Sequence, residues 1–248
     1  MRNGSNQLAI REFPIPLPRR MTTLAVDKRG YPVPAFVAWF NGEPDFRVVD
    51  HQHMQRCVYH RRCWICGEPT GAHMAFVIGP MCCINRISSE PPSHVDCAEF
   101  AAQACPFLSQ PLAKRPDMAR KPVPGKTVEP AGIMLAHNPG VCAVWVTKTY
   151  KPFRAPGPAG SSGVLFEVGP PERLAFWAKG RHATRPELDD AIAKGLPHLT
   201  KMAQMDGEAA LAELRKQVGV FWRLLDDALP QPENDLPNVD LSSFEATR

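Results

Sequence analysis

Two residue pairs carry the clearest chemistry in this sequence. Cys63 and Cys66 flank Trp64-Ile65 and are followed by Gly67, and His94 and Cys97 flank Val95-Asp96. Zinc takes four ligands in a tetrahedron, with thiolate sulfur at about 2.3 Å and imidazole nitrogen near 2.0 Å. Two cysteines two residues apart can turn both sulfurs toward one point, and a glycine after them lets the backbone curl back without a Cβ clash. His94 and Cys97, three apart at the start of a predicted helix, share one face of it. The positive end of that helix favours the thiolate of Cys97.

Helix geometry weighs the competing cysteines. Cys105 lies eight residues beyond Cys97, about 12 Å further along a continuous helix, whereas sulfurs sharing one ion are only about 4 Å apart. Cys82 and Cys83 are the alternate ligands, because a loop can carry either toward the knuckle. A four-cysteine site made that way would admit an iron–sulfur cluster in place of zinc. Cys57 and Cys142 read as buried thiols. Asp50-His51-Gln52-His53 with His60 reads as a run of solvated histidines, since on a helix His53 and His60 stand about 10 Å apart.

The surrounding elements must position those ligands. Residues 34 to 49 read as a β-hairpin about Asn41-Gly42, the dipeptide of a type I′ turn, and a helix-compatible stretch leads from Asp50 to the knuckle. Met74 to Ile78 is apolar and ends at the turn signal Gly79-Pro80. Ser93 is placed as the N-cap of a helix with Asp96 three residues on, and Pro106 ends it near Cys105. Knuckle, hairpin and then a helix with the second ligand pair is an order that resembles the treble-clef zinc finger over residues 61 to 108. That resemblance implies a zinc used as a structural staple, on a scaffold that also supports nucleases. The segments Gly30-Tyr31-Pro32-Val33-Pro34 and Cys105-Pro106-Phe107-Leu108, with the arginine-flanked helical region, also resemble uncharacterised proteins of actinobacteria and their phages. A phage or mobile-element association follows as an expectation, with no activity implied.

The chain has 248 residues, a net charge of +4, 44% hydrophobic residues and 27 prolines, so irregular connections are expected among ordinary globular elements. Residues 1–20 read as an extended Pro-rich arm, 21–110 as the zinc-binding domain and 111–131 as a basic Pro-rich linker. A sheet-plus-helix domain over 132–229 and a polar tail over 230–248 complete the division. In the second half, Ile133 to Ala136, Val141 to Val146 and Val164 to Val168 are predicted strands, with Asn138-Pro139-Gly140 as a turn. A short helix is expected from Pro171 through Trp177. Thr184 with Glu187 forms a capping box for a helix that Gly195 and Pro197 break, and an amphipathic helix runs from Glu208 to Leu229. The fold class is α+β: a treble-clef-like module with β-hairpins, then a small antiparallel sheet packed with helices.

No apolar run suits a signal peptide or a membrane span, and the reading is cytoplasmic, with no membrane partner. Arg61, Arg62 and Arg86, with Trp64 in the knuckle, are the residues for contact with nucleic acid or a protein partner. Arg181 and Arg185, at a helix start, are an anion site in waiting. His73 and Asn85 are the residues a nuclease of the His-Asn-His kind would use, but no acidic neighbour accompanies them. Phosphate-loop, nucleophile-elbow and His-Glu-x-x-His patterns are missing from the sequence. The functional expectation is a non-enzymatic, zinc-stabilised binding protein. Its alternatives are a metal-dependent nuclease or hydrolase, or an iron–sulfur protein.

Overall fold

Cys142–Thr147 (β6) is buried along its whole length, and its side chains divide by the two-residue period of a strand. Ala143 and Trp145 enter one core, while Cys142, Val144 and Val146 enter another. A strand apolar on both faces must be covered on both faces. It lies inside a four-stranded antiparallel sheet ordered β10-β9-β6-β3, made with Met74–Ile78 (β3), Arg173–Ala178 (β9) and Arg181–His182 (β10). The computed structural model describes residues 9–110, 127–128, 138–156 and 162–229. The polar tail, most of the basic linker and the strand expected at 133–136 fall outside these residues.

Two further antiparallel sheets flank this one. Val37–Phe40 (β1) and Glu43–Asp50 (β2) form the expected hairpin, extended by Thr127–Val128 (β5) from within the linker segment. Asn41 and Gly42 both have positive φ, 51° and 82°, as a type I′ turn requires. The third sheet is ordered β4-β8-β7 from Ile87–Ser88 (β4), Ser162–Val168 (β8) and Tyr150–Pro156 (β7). The strand at β7 escapes a reading by propensity because Pro152 and Pro156 interrupt it. Its place at the sheet edge is what tolerates them.

Helices cover the central sheet from both sides. Val95–Ala104 (α3) lays Ala98 and Ala102 on Ala75, Val144 and Val146, where small side chains let helix and sheet approach closely. On the opposite face are Pro80–Asn85 (α2), Arg185–Asp206 (α5) and Glu208–Ala228 (α6). Ile84, Leu188, Ile192, Leu214, Phe221 and Leu225 meet Phe76, Trp145 and Phe176 there. His51–His60 (α1) precedes the knuckle, and the four-residue Pro106–Ser109 (α4) follows α3. The result is an α+β fold of small antiparallel sheets. Among the described residues no helix is long and apolar enough to cross a membrane.

Three expectations for individual elements are corrected. The helix expected from Pro171 is strand β9, paired with β6 from Cys142↔Trp177 to Val146↔Arg173. Phe176 and Ala178 face one core and Trp177 the other, so the period is two. Gly195 and Pro197 do not break α5, which continues to Asp206 with Pro197 inside it. Packing against α2 and α6 carries the helix past a residue that costs it a hydrogen bond. Gly195 permits that packing, since a Cβ there would meet Met81 Cγ at 2.8 Å. The N-cap of α3 is His94, one residue later than expected, because Ser93 forms a β-bridge with Ala75.

Gly169 continues the β7–β8 pairing opposite Thr149 in a space with no room for a side chain. Its carbonyl accepts the Trp145 indole N–H at 2.9 Å, and its own N–H donates to Thr149 O at 3.0 Å. A Cβ on Gly169 would collide with that Thr149 carbonyl oxygen. Backbone cannot rotate aside as a side chain can. Gly169→Ala is expected to cost about 3 kcal/mol, measured as a lowered urea midpoint with an unchanged slope.

Candidate metal centre

The four ligand atoms expected from the sequence converge. Sγ of Cys63, Cys66 and Cys97 and a ring nitrogen of His94 all lie within 4.8 Å of one another, and all four residues are buried. Cys66 Sγ is 3.3 Å and Cys97 Sγ 3.9 Å from His94 Nδ1. Cys63 Sγ accepts from the backbone N–H of Cys66 at 3.4 Å and of His94 at 3.3 Å. Backbone donors aimed at a sulfur stabilise its thiolate.

The backbone explains why these atoms meet. Gly67 has φ 82° and donates to Cys63 O, closing the knuckle. Arg62 and Pro69 form a bridge across its base, and Cys63 N–H donates to Glu68 O at 2.8 Å. The Ala75–Ser93 bridge fixes the start of α3 against β3, which places His94 and Cys97 opposite the knuckle. Between the two ligand pairs the treble-clef resemblance implies a hairpin, and this is not what forms. The intervening strands pair elsewhere, β3 with β6 and β4 with β8.

His94 Nε2 lies 2.9 Å from Pro69 O. A carbonyl can only accept, so Nε2 carries the proton and, in the neutral ring, the lone pair sits on Nδ1, facing the sulfurs. Metal-binding histidines are oriented by a partner of this kind on the far nitrogen. Members of the cluster shift one another's titration. Hydrogen bonds from Cys66 and then Cys97 draw the Cys63 thiol far below the usual range. The adjoining Cys63 and Cys66 raise His94 to about 10. Hydrogen bonding with Cys63 and then Cys66 pushes the Cys97 thiol up, so the favoured negative charge lies on Cys63.

His53, grouped above with solvated histidines, supports the knuckle from behind. It is 4% exposed, its Nε2 is 3.0 Å from Trp64 O, and Cys57 Sγ lies 3.4 Å away. Burial lowers its pKa and favours the neutral ring, whose Nε2–H donates to the Trp64 carbonyl. The His53-x-x-x-Cys57 spacing, one helix turn on the buried face of α1, is the signal that could have identified it.

The arm seals the cluster. Phe13, Ile15 and Leu17 pack with Met21 and Leu24 over Cys63, Cys66, Cys97 and Phe100, while Pro14 and Pro16 face solvent. Arg20 closes the contact with an ion pair to Asp96 at 2.8 Å.

Other sequence-derived site residues fall elsewhere. Cys82 and Cys83 sit on α2, against and within the main core, so neither joins the cluster. Cys105 caps α3 and also stands apart from it. Trp64 is 3% exposed and stacked on Phe36 at 4.7 Å, an internal ring that cannot receive a base. Arg86 is half-buried at the left-handed end of α2 and donates twice to Val168 O, at 3.0 and 2.8 Å. It ties α2 to the third sheet instead of facing a partner. Arg61 is exposed and reaches Met74 Sδ, and Arg62 is half-buried in the knuckle bridge. His73 pairs at 2.6 Å with Glu172, an acidic neighbour distant in the sequence, and Asn85 Oδ1 accepts from Ile87 N–H.

The anion site at Arg181 and Arg185 is also corrected, because carboxylates of the chain already occupy both guanidiniums. Arg181 binds Glu187 through two nitrogens at 2.8 and 2.7 Å. Arg185, 6% exposed, bonds Asp189, Asp226 and the Leu229 carbonyl, locking α5 to the end of α6. Glu187 also completes the Thr184 capping box. Arg181 first, then Lys179 and the Thr184 N–H, hold its carboxyl well below the usual range. A depressed carboxyl stabilises the fold above its unfolded pKa of about 4.3 and ceases to as pH falls through the folded value. Glu187→Ala is therefore expected to cost about 1 kcal/mol at neutral pH. Paired urea titrations should show the gap from wild type narrowing below about pH 4.

The class that fold and site define is an α+β protein with a buried Cys3His cluster able to hold a metal ion. No protein-family model, curated protein or solved structure matches the chain.

Proposed function

We propose that this is a non-enzymatic, zinc-stabilised binding protein that contacts nucleic acid or a protein partner. The observation that carries the reading is the closed ligand set: three sulfurs and a tautomer-fixed imidazole, buried beneath the arm. Three thiolates and one neutral imidazole suit zinc. Four protein ligands fill a tetrahedron and leave no position for an activated water or substrate. The module keeps the knuckle and the helix-borne pair of a treble clef and replaces its hairpin with strands committed to two other sheets. Zinc would then join the knuckle to α3, and recognition would fall to the outer surface.

The test is to titrate zinc-loaded protein with labelled oligonucleotides at about 50 and about 200 mM salt, where phosphate contacts lose affinity steeply. Salt-dependent binding supports the nucleic-acid form, and its absence assigns the surface to a protein partner. Strand cleavage that tracks zinc content would contradict the non-enzymatic reading.

A further inference from the structure

The arm meets the metal centre as a strap held at its two ends. At one end the Arg11 N–H donates to Gly30 O at 3.1 Å. At the other, the single turn Arg19–Met21 buries Met21 beside the ligand sulfurs. Between Glu12 and Leu17 no backbone hydrogen bond joins the strap to any other described residue. Pro14 and Pro16 have no N–H to give. Burial alternates along the strap: Phe13, Ile15 and Leu17 are half-buried, and Pro14 and Pro16 are exposed.

Side chains alone therefore press the strap onto the cluster. The Phe13 ring meets Phe100 edge-on at 5.0 Å and Tyr31 at 5.6 Å. Ile15 and Leu17 pack against the group formed by Met21, Phe100 and the three cysteines. The Arg20–Asp96 pair has side chains 49% and 44% exposed, and pairs as exposed as this add little. The segments that carry the ligands are tied differently. Cys63 N–H donates to Glu68 O, Trp64 N–H donates to Pro92 O, and Ala75 and Ser93 exchange two bonds. Cys97 stands within the hydrogen-bonded turns of α3. Segments with few backbone bonds and modest burial open at a lower free energy than the elements they cover. Cys63 and Cys97 are fully buried, so some segment must move before a chelator or a thiol reagent reaches them. Of the three segments that bound this cluster, the strap is the one whose backbone is not tied down.

We propose that residues 12–18 are the gate of the metal centre, and that their opening sets how fast zinc and the three thiols exchange with solvent. The proposal rests on the zinc reading above and extends it. The ligands decide whether metal is held, and the strap decides how quickly it leaves. Anchors at Arg11 and Met21 let the strap bow outward and reseal while the knuckle and α3 stay folded.

The experiment mixes the zinc-loaded full chain with excess pyridylazoresorcinol, a chromogenic chelator, and follows zinc release. Ile15→Ser and Leu17→Ser are each expected to release zinc roughly 5- to 10-fold faster, the factor for losing about half the burial of such a side chain. Thr23→Ala, at an exposed position just beyond the strap, should release it at the wild-type rate. Wild-type release should vary little over urea concentrations well below the unfolding midpoint, since bowing a short strap exposes little surface. Release that climbs with urea as steeply as whole-chain unfolding would place exchange in global unfolding and overturn the gate. Unchanged release in both serine variants would overturn it as well. If the purified chain holds no zinc, the zinc reading falls and the thiols still test the gate. Iodoacetamide labelling of Cys63, Cys66 and Cys97, read by mass spectrometry, should then be faster in both serine variants. Equal labelling in variants and wild type would remove the gate.

Discussion

Cys63→Ser is expected to abolish metal binding and to unfold the chain. Cys63 is fully buried and accepts from both the knuckle and the start of α3, so it is the atom through which the two ligand pairs are joined. Structural zinc sites contribute about 10–16 kcal/mol, and whole domains are stable by about 5–15 kcal/mol. Loss of one thiolate therefore removes an amount comparable to the entire stability. Hydrophobic burial in this region is small and depends on the ligands themselves, since Met21, Ile65 and Phe100 pack on Cys63, Cys66 and Cys97. The checks are zinc content and a thermal melt by circular dichroism. A variant that loses zinc yet melts like wild type would show that the arm and α3 hold the module without metal.

Trp145→Ala should be the most damaging single change in the hydrophobic core. Trp145 is fully buried in the central strand β6, between Phe76 of β3 and Leu174 of β9 in register. Removing a buried indole costs about 3–5 kcal/mol, and the Gly169 carbonyl loses its donor as well, about 1 kcal/mol more. Trp145→Phe, which keeps most of the volume, should cost only about 1–3 kcal/mol. Because β3 follows the knuckle and pairs with β6, the damage reaches the metal module. Chemical unfolding should release zinc and melt α5 and α6 in one transition, and in Trp145→Ala both should move together to lower denaturant. Two separate transitions would mean that the halves do not share a core.

What was legible in the sequence was what local chemistry dictates. The spacing of Cys63 with Cys66 and of His94 with Cys97 pointed to four side chains that do converge, because a knuckle and a helix start fix side-chain directions within a few residues. Asn41-Gly42 and Thr184 with Glu187 were readable for the same reason. What failed depended on distant partners. Arg173 to Ala178 read as a helix because nothing local shows that β6 will pair with it. Pro197 read as a break because the support from α2 and α6 is tertiary. Trp64, Arg86, Arg181 and Arg185 suggested a surface for ligands, yet a residue type cannot reveal that Phe36, Val168, Glu187 or Asp226 already holds it. His53 was missed because burial of a histidine depends on the strand and knuckle folded over it.

The most direct test of the central claim is metal analysis of the purified wild-type protein by plasma emission, with X-ray absorption at the metal edge. The account predicts one zinc per chain, bound by three sulfurs near 2.3 Å and one nitrogen near 2.0 Å. Protein that is folded and metal-free, or brown and loaded with iron and inorganic sulfide, would contradict it.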